Sequence, residues 1–522
     1  MKKTFAFFLA IMMAVTFAGC TANIDENYLP ETELSQEKVM PIIKIDTVSM
    51  DEDAIDFATK PVSEHVSKLI ASWTPDYQIP PAPYYVDCKI TLEDTSANIL
   101  LDAAEAQVKV RGNWTTTYEK KPFRIRFAEK QNLLGLNEGA AMKNWVLLAA
   151  YKDASMLRDK TAFAIANEIL SEDGFYAADA EFVELYINDE YWDVYLLCEY
   201  QQVNKNRVDI FEPEKDYFGM DIGYFLEFDG YYYTEDVLNQ FFVDYNDNAP
   251  LIPFDGEGGN GKTITCLKTD DRPNVKDVGF TIKSDVYCEE QRDFIAGFVN
   301  GVYRIMYEAA YNKKAYVFTD DYKGVVESDS LTPREAVESV VDVQSLVDMY
   351  IISELTCDAD IYWSSFFMRV DFSADGNKLL TFEAPWDFDS AMGNKDRCIN
   401  GEGFYASNIV PDVNGNEYQT CNPWLMVLVY EDWYQDIIKD TWTKAYDNGV
   451  FERAYELINH SKTDLKAAFD RNYQRWDNIN HDSFIDELSE KAKDCKTFED
   501  ACDFLLEWLR SRVEYLNGRW HL

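Results

Sequence analysis

Histidine is nearly missing from this chain: four residues in 522, at positions 65, 460, 481 and 521. His65 lies in a polar leader and His521 is penultimate, which leaves His460 and His481 for any imidazole chemistry. A zinc cage or a Ser-His-Asp triad is therefore disfavoured. Cations are also short, with 49 Lys and Arg against 93 Asp and Glu and a formal net charge of −44. That balance argues against a nucleic-acid partner, whose phosphates need clustered Lys and Arg. After the first eighteen residues no apolar run reaches the ~20 residues of a membrane helix. The ten cysteines contain no C-x-x-C pair, and the nine after Cys20 are odd in number. Neither a zinc ribbon nor a dense disulfide framework is indicated, although one or two bridges stay open in an oxidising compartment. An enzyme of this composition would work with carboxylates.

What is present is apolar and aromatic: 47% hydrophobic residues, with 33 Tyr and 32 Phe. That is enough for large cores, so the acidity is not that of a disordered tail. Lys2 and Lys3 precede an apolar run from Phe5 to Ala18, and Ala18-Gly19 then lead to Cys20. This is the pattern of a lipoprotein signal. It predicts cleavage before Cys20, lipidation of that residue, and a location in the cell envelope outside the cytoplasmic membrane, in the periplasm or at the outer-membrane surface. Residues 20–83 are acidic and broken by seven prolines, which reads as a tether. The structured domain is expected over 84–522.

Alternating apolar residues predict strands at Val86–Leu92, Ala106–Arg111 and Phe123–Phe127, and Asn144–Ala149 is a short apolar segment. A helix follows, with Asp153 or Ser155 as caps and Met156, Phe163, Ala166 and Leu170 on one face. Glu181–Ile187 and Tyr191–Tyr200 read as a hairpin turning at Asn188-Asp189. Residues 223–287 read as an aromatic, turn-rich insertion. Helices are expected at Glu289–Glu308, at Ser345–Leu355 (buried on most sides) and through most of 423–520. The expected fold class is α+β: one two-lobed unit, with an antiparallel sheet lobe carrying one main helix and a larger helical lobe.

Residues 256–263, Gly-Glu-Gly-Gly-Asn-Gly-Lys-Thr, satisfy the P-loop pattern literally. That motif needs a helix whose N-terminus faces phosphate, and here Ile264-Thr-Cys-Leu alternates like a strand. A Gly-rich hairpin loop is the better reading. Stronger signals are spread along the chain. Arg111, Lys120, Lys121, Arg124 and Arg126 cluster on one loop and strand, and Arg124 and Arg126 share a strand face. They suit one anion; the bland alternative is a set of surface ion pairs. Asp358 and Asp360 sit at a helix-to-strand junction, and Asp387 and Asp389 at the end of an apolar strand. Carboxylates in apolar surroundings need a partner, and a hard cation such as Mg²⁺ suits them. Capping of a nearby helix is the alternative.

Loop, basic strand, helix, hairpin, then two acidic motifs is the order of parts in kinases. The segments resemble the CotH family, the spore-coat-protein-H-type atypical protein kinases, over about residues 85–520. Val110-Arg-Gly-Asn-Trp-Thr with Lys120-Lys-Pro-Phe-Arg-Ile-Arg126 resembles the family's R-G-N-S-T and K-K-P-Y-R-I-K. Asn144-Trp-Val-Leu-Leu-Ala with Asp153-Ala-Ser-Met-Leu-Arg158 resembles N-W-x-L and D-x-S-x-L-R. Tyr191 to Glu199 resembles Y-x-G-x-Y-x-L-x-E, and Asp360–Phe367 and Trp386–Gly393 match the acidic motifs. The resemblance implies a kinase-like fold binding ATP with Mg²⁺ or Mn²⁺. It implies Asp360 as general base, Asp387 with Asp389 on the metal, Arg111, Lys121, Arg124, Arg126 and Arg158 around phosphate, and Glu199 at the hinge. Three positions depart from the pattern: Trp114 in the loop, Asp193 for the hairpin glycine, and Ser365 where a second metal ligand would be Asn, with Asn394 as a substitute.

The function so implied is a lipid-anchored kinase acting on Ser or Thr of surface or secreted proteins. An alternative is a catalytically inactive fold kept as a protein- or glycan-binding module, for which Tyr231-Tyr-Tyr would suit sugar stacking. A two-carboxylate glycosidase is a third reading, but it leaves the basic strand unexplained.

Overall fold

The computed structural model describes residues 39–51, 53–60, 85–112, 114–256, 258–270, 277–395, 400–411, 419–479 and 488–522. The leader and Cys20 lie outside the described residues. Two compact units are distinguished, Met1–Glu129 with Val183–Trp192, and Lys130–Phe182 with Asp193–Leu522.

In the first unit, β1 (Ile42–Thr47), β2 (Val86–Glu93), β3 (Ile99–Val110) and β4 (Phe123–Gln131) form successive antiparallel pairs. β1 also runs parallel to β6 (Ala180–Ile187), from Ile42 opposite Glu184 to Ile45 opposite Ile187. On β4 the alternation works as expected: Phe123, Ile125 and Phe127 are buried while Arg126 is exposed. β1 corrects the reading of 20–83 as a tether throughout. Ile42, Ile43 and Ile45 are 5% exposed or less, and burying each contributes about 1.5–3 kcal/mol. That outweighs the acidic, proline-broken context.

In the second unit, β5 (Met142–Leu148) pairs with β7 (Glu190–Glu199) from Trp145 opposite Glu199 to Leu148 opposite Leu196. The seven strands are ordered β1-β2-β3-β4-β5-β7-β6 in a closed barrel. The architecture is mixed α+β, as expected, but the antiparallel sheet lobe of a two-lobed unit is not what forms: the sheet closes and includes one parallel pair. The reason is β1, which pairs with both β2 and β6 and so removes the free edges.

A second sheet is ordered β14-β13-β8-β10-β9. Its members are β8 (Gly223–Asp229), β9 (Gln240–Phe241), β10 (Gly279–Ile282), β13 (Phe366–Asp371) and β14 (Thr381–Phe382); β11 (Tyr316–Phe318) and β12 (Val325–Glu327) make a separate hairpin. The stretch read as an insertion therefore supplies the central strand. β8 is buried along its whole length, and its partner β13 lies about 140 residues downstream, beyond any local pattern. The main helices are α1 (Arg158–Glu172), α2 (Glu289–Tyr307), α3 (Val343–Thr356), α4 (Asp432–Asp447), α5 (Val450–Asp464), α6 (Lys466–Arg475) and α7 (Phe498–Trp520). α3 is buried on every side, as its uniform apolarity predicts.

The Gly-rich decoy forms one 3₁₀ turn at Gly259–Gly261, and Ile264 then bridges to Leu251. No helix begins between there and Asp270 among the described residues. Eight cysteines are described and all are free thiols. Among the described residues, no helix is long and apolar enough to cross a membrane.

Candidate active site

Five carboxylates converge in the second unit. α3 ends at Cys357 in a left-handed conformation, which turns the chain so that Asp358 and Asp360 lead a 3₁₀ turn into β13. The Asp358 Oδ1 accepts from the Asp360 backbone N–H at 2.9 Å. Beyond β14, Asp387 takes φ 65° and ψ 56° and opens a second 3₁₀ turn, Phe388–Ser390. Ser365 at φ 61° and Met392 at φ 48° are likewise non-glycine residues held left-handed. Such strain persists only where surrounding structure enforces it, and it clusters at functional sites. The two motifs meet directly: the Ser365 hydroxyl donates to Asp387 Oδ2 at 2.9 Å. The Ser365 N–H in turn donates to Glu227 Oε1 at 3.1 Å, and Glu227 pairs with Lys283 at 2.9 Å.

The electrostatics show how crowded the acids are. Burial holds Asp358 well above the ordinary carboxylate range, and the charges of Asp360, Asp387 and Asp389 push it further. Asp159, at the start of α1, is raised first by burial and then by Asp389 and Asp387. Asp389 is raised by burial and by Asp360, with Lys152 opposing. Proximity of like charges in a dry site makes each ionisation harder.

α1 anchors this loop. Asp153 Oδ2 accepts from the Arg158 N–H at 2.9 Å and its Oδ1 from the Ser155 hydroxyl at 2.7 Å, bracing the turn that leads into α1. The N-cap itself is Leu157, with no side-chain cap bond, so neither Asp153 nor Ser155 is the cap the sequence suggested. The Arg158 guanidinium is buried; it pairs with Asp153 and donates to the Ala391 carbonyl at 3.1 Å and the Met392 carbonyl at 3.4 Å. Asp159 Oδ1 accepts from the Phe388 N–H at 2.9 Å, and Phe163 packs its ring on Trp386 and Phe388. Asn394 donates its amide to the carbonyls of Asp389 (2.7 Å) and Lys152 (3.2 Å).

The remaining sequence-derived residues are placed as follows. Arg111, Lys121, Arg124 and Arg126 belong to the first unit. Lys121 is buried, donates to the Tyr118 carbonyl at 2.5 Å, and burial brings its amine down to about 8. Arg126 is exposed, bonded to Gln107 and stacked on Tyr85 at 4.3 Å. Glu199 ends β7 in the second unit, buried and paired with Arg207 at 2.9 Å. It walls a cavity of about 610 Å³, together with Lys160, Phe163, Asn167 and Tyr176. Burial raises Glu199 despite Arg207 beside it.

A family model described as CotH kinase protein matches residues 108–516. The chain belongs to the CotH kinase family. No curated protein matches it. CotH membership implies ATP-dependent phosphotransfer, generally with a divalent metal.

The donor set fits such an ion. Among the described residues, no group of three or more His, Cys, Asp or Glu side chains is placed to hold a metal ion by itself. A magnesium ion carried by a nucleotide does not need one, because it binds through one or two carboxylates plus substrate phosphates. Asp387 and Asp389 would be the pair to offer, and a cation there would relieve the mutual repulsion that helps raise Asp159, Asp358 and Asp389. Sequence reasoning missed Asp159 and Glu227. Asp159 follows a recognised motif immediately, which was a usable signal. Glu227 gave none, because its role depends on β8 lying beside β13.

Proposed function

We propose that this CotH protein is a lipid-anchored secreted kinase, transferring the γ-phosphate of ATP to Ser or Thr hydroxyls of surface proteins. The carrying observation is the Ser365–Asp387 hydrogen bond, which brings the Asp360 and Asp387 motifs together in one strained, acid-rich turn pair. In this reading Asp360 accepts the hydroxyl proton as general base. Asp387 and Asp389 hold Mg²⁺ or Mn²⁺, which would neutralise charge on the phosphates. Arg111, Lys121, Arg124 and Arg126 supply phosphate contacts. Arg158 acts as a positioning residue, because its donors are spent on Asp153 and on the carbonyls that shape the 387–392 loop. Glu199 stands at the hinge end of β7, beside a cavity large enough for a nucleoside. Ser365 takes the place of the second metal-binding Asn by fixing Asp387 rather than by ligating strongly. Lipidation at Cys20 places the domain in the envelope, at the periplasmic or outer-membrane surface.

The test is a nucleotide titration of the full chain with thermal unfolding as readout, paired with a phosphate-transfer assay. MgATP raises the unfolding temperature by linkage, and phosphate appears on the protein or a surface-protein acceptor. Asp387→Ala loses both effects. Retention of both in that variant sinks the metal assignment, and failure of the intact chain to bind any nucleotide favours a binding module without catalysis.

A further inference from the structure

Beyond β8, the segment 230–242 carries a row of rings that the phosphotransfer chemistry does not use. Tyr232 lies on Gly279 so closely that a Cβ at 279 would meet its ring at 2.6 Å. Only glycine allows that seat, and it holds Tyr232 flat against β10. Tyr233 packs on Tyr232 edge-on at 5.9 Å, and Phe242 packs on it at 6.2 Å. Tyr233 is 57% and Phe242 38% exposed. Two solvent-facing rings thus pack against a third that is seated on Gly279 of β10. Around them the side chains are acidic: Glu235 and Asp236 are exposed neighbours in the chain, and the charge of Asp277 reaches Tyr232.

The platform is tied to the acid site. The Gly230 N–H donates to the Trp363 carbonyl, three residues past Asp360, and Tyr231 lies within the field of the Asp360 carboxylate. We propose that this ledge is a subsite for a neutral saccharide, held beside Asp360. Rigid aromatic faces take the apolar face of a sugar ring, and flanking carboxylates accept from its hydroxyls. The acidic rim turns away anionic ligands. Strand addition by a peptide is poorly served, because the sheet edge here, β9, is two residues long. The inference deepens the proposed function, since it assigns the ligand class held next to the acceptor position, and its binding test is independent of nucleotide.

The experiment titrates the full chain with neutral cello-, xylo-, manno- and malto-hexaoses, read by tyrosine fluorescence and calorimetry. Saturable binding of at least one is expected, weakened at least tenfold by Tyr233→Ala or Phe242→Ala with unfolding temperature unchanged and the MgATP shift retained. Asp387→Ala is expected to keep sugar binding. No binding of any of the four at millimolar concentration overturns the proposal. So does binding indifferent to both ring substitutions, or ring-dependent binding of a Lys/Arg-rich peptide alone. Sugar binding without any nucleotide binding overturns the kinase reading and leaves this one standing.

Discussion

At the residue scale, Asp159 is the most informative addition to the site. It accepts from the Phe388 N–H, and burial with Asp389 and Asp387 beside it makes its own ionisation costly. Asp159→Asn should raise the stability of the metal-free chain, by removing like-charge repulsion, and weaken Mg²⁺ binding at least several-fold. Thermal unfolding with and without MgCl₂ measures both. Asp193 presents a related case. It holds φ 92° in β7 at the position where the family carries glycine, so the departure noticed in sequence is a site of backbone strain. Asp193→Gly is expected to stabilise by about 1 kcal/mol, the scale of the left-handed penalty for an L-residue; a denaturant midpoint that falls would refute this.

At the element scale, α3 concentrates buried charge. Glu354 pairs with Arg512 of α7 at 2.5 Å and accepts from the N–H groups of Tyr405 and Ala406 at 2.6 and 2.9 Å. Removing one partner strands the other in an apolar interior, so Arg512→Leu should cost about 3–5 kcal/mol, read from urea unfolding. Higher on the same helix, Asp348 is fully buried with Gln344 donating to it at 2.8 Å, and burial raises its carboxyl to about 8. A folded value above the unfolded one means the native state binds the extra proton between about pH 4 and pH 8. Stability contributed by that proton is present at low pH and is lost as pH rises through 8. Asp348→Asn should therefore flatten the decline of stability between pH 5 and 8, which a pH series of unfolding curves tests. The sequence showed α3 to be buried, from its apolar residues on every side. It could not show which of its acids would be paired, because Arg512 lies 158 residues away.

At the scale of the whole molecule, the domain begins earlier than its composition suggests. A chain starting at residue 84 lacks β1 and leaves β2 and β6 each with one open edge, although β2 keeps β3 and β6 keeps β7. It should be less stable than one starting at residue 39 by several kcal/mol, about the burial of three isoleucines, and differential scanning calorimetry of the two compares them directly. Much of the remaining architecture was legible: β2, the end of β3, β4 and the β6–β7 hairpin by alternation, and α1 by its apolar face, although its cap was not. Those features depend on neighbours a few residues apart, so local periodicity and turn chemistry suffice to determine them. Family membership follows the same rule, since it rests on short motifs in order. Tertiary structure alone decided the rest. The barrel closes because β1 joins strands about 40 and 140 residues away, β8 becomes central because β13 arrives beside it, and Ser365 meets Asp387 because two strained turns face each other. In each case the deciding partner is distant in the chain, and only packing and hydrogen-bond satisfaction in the folded state select it.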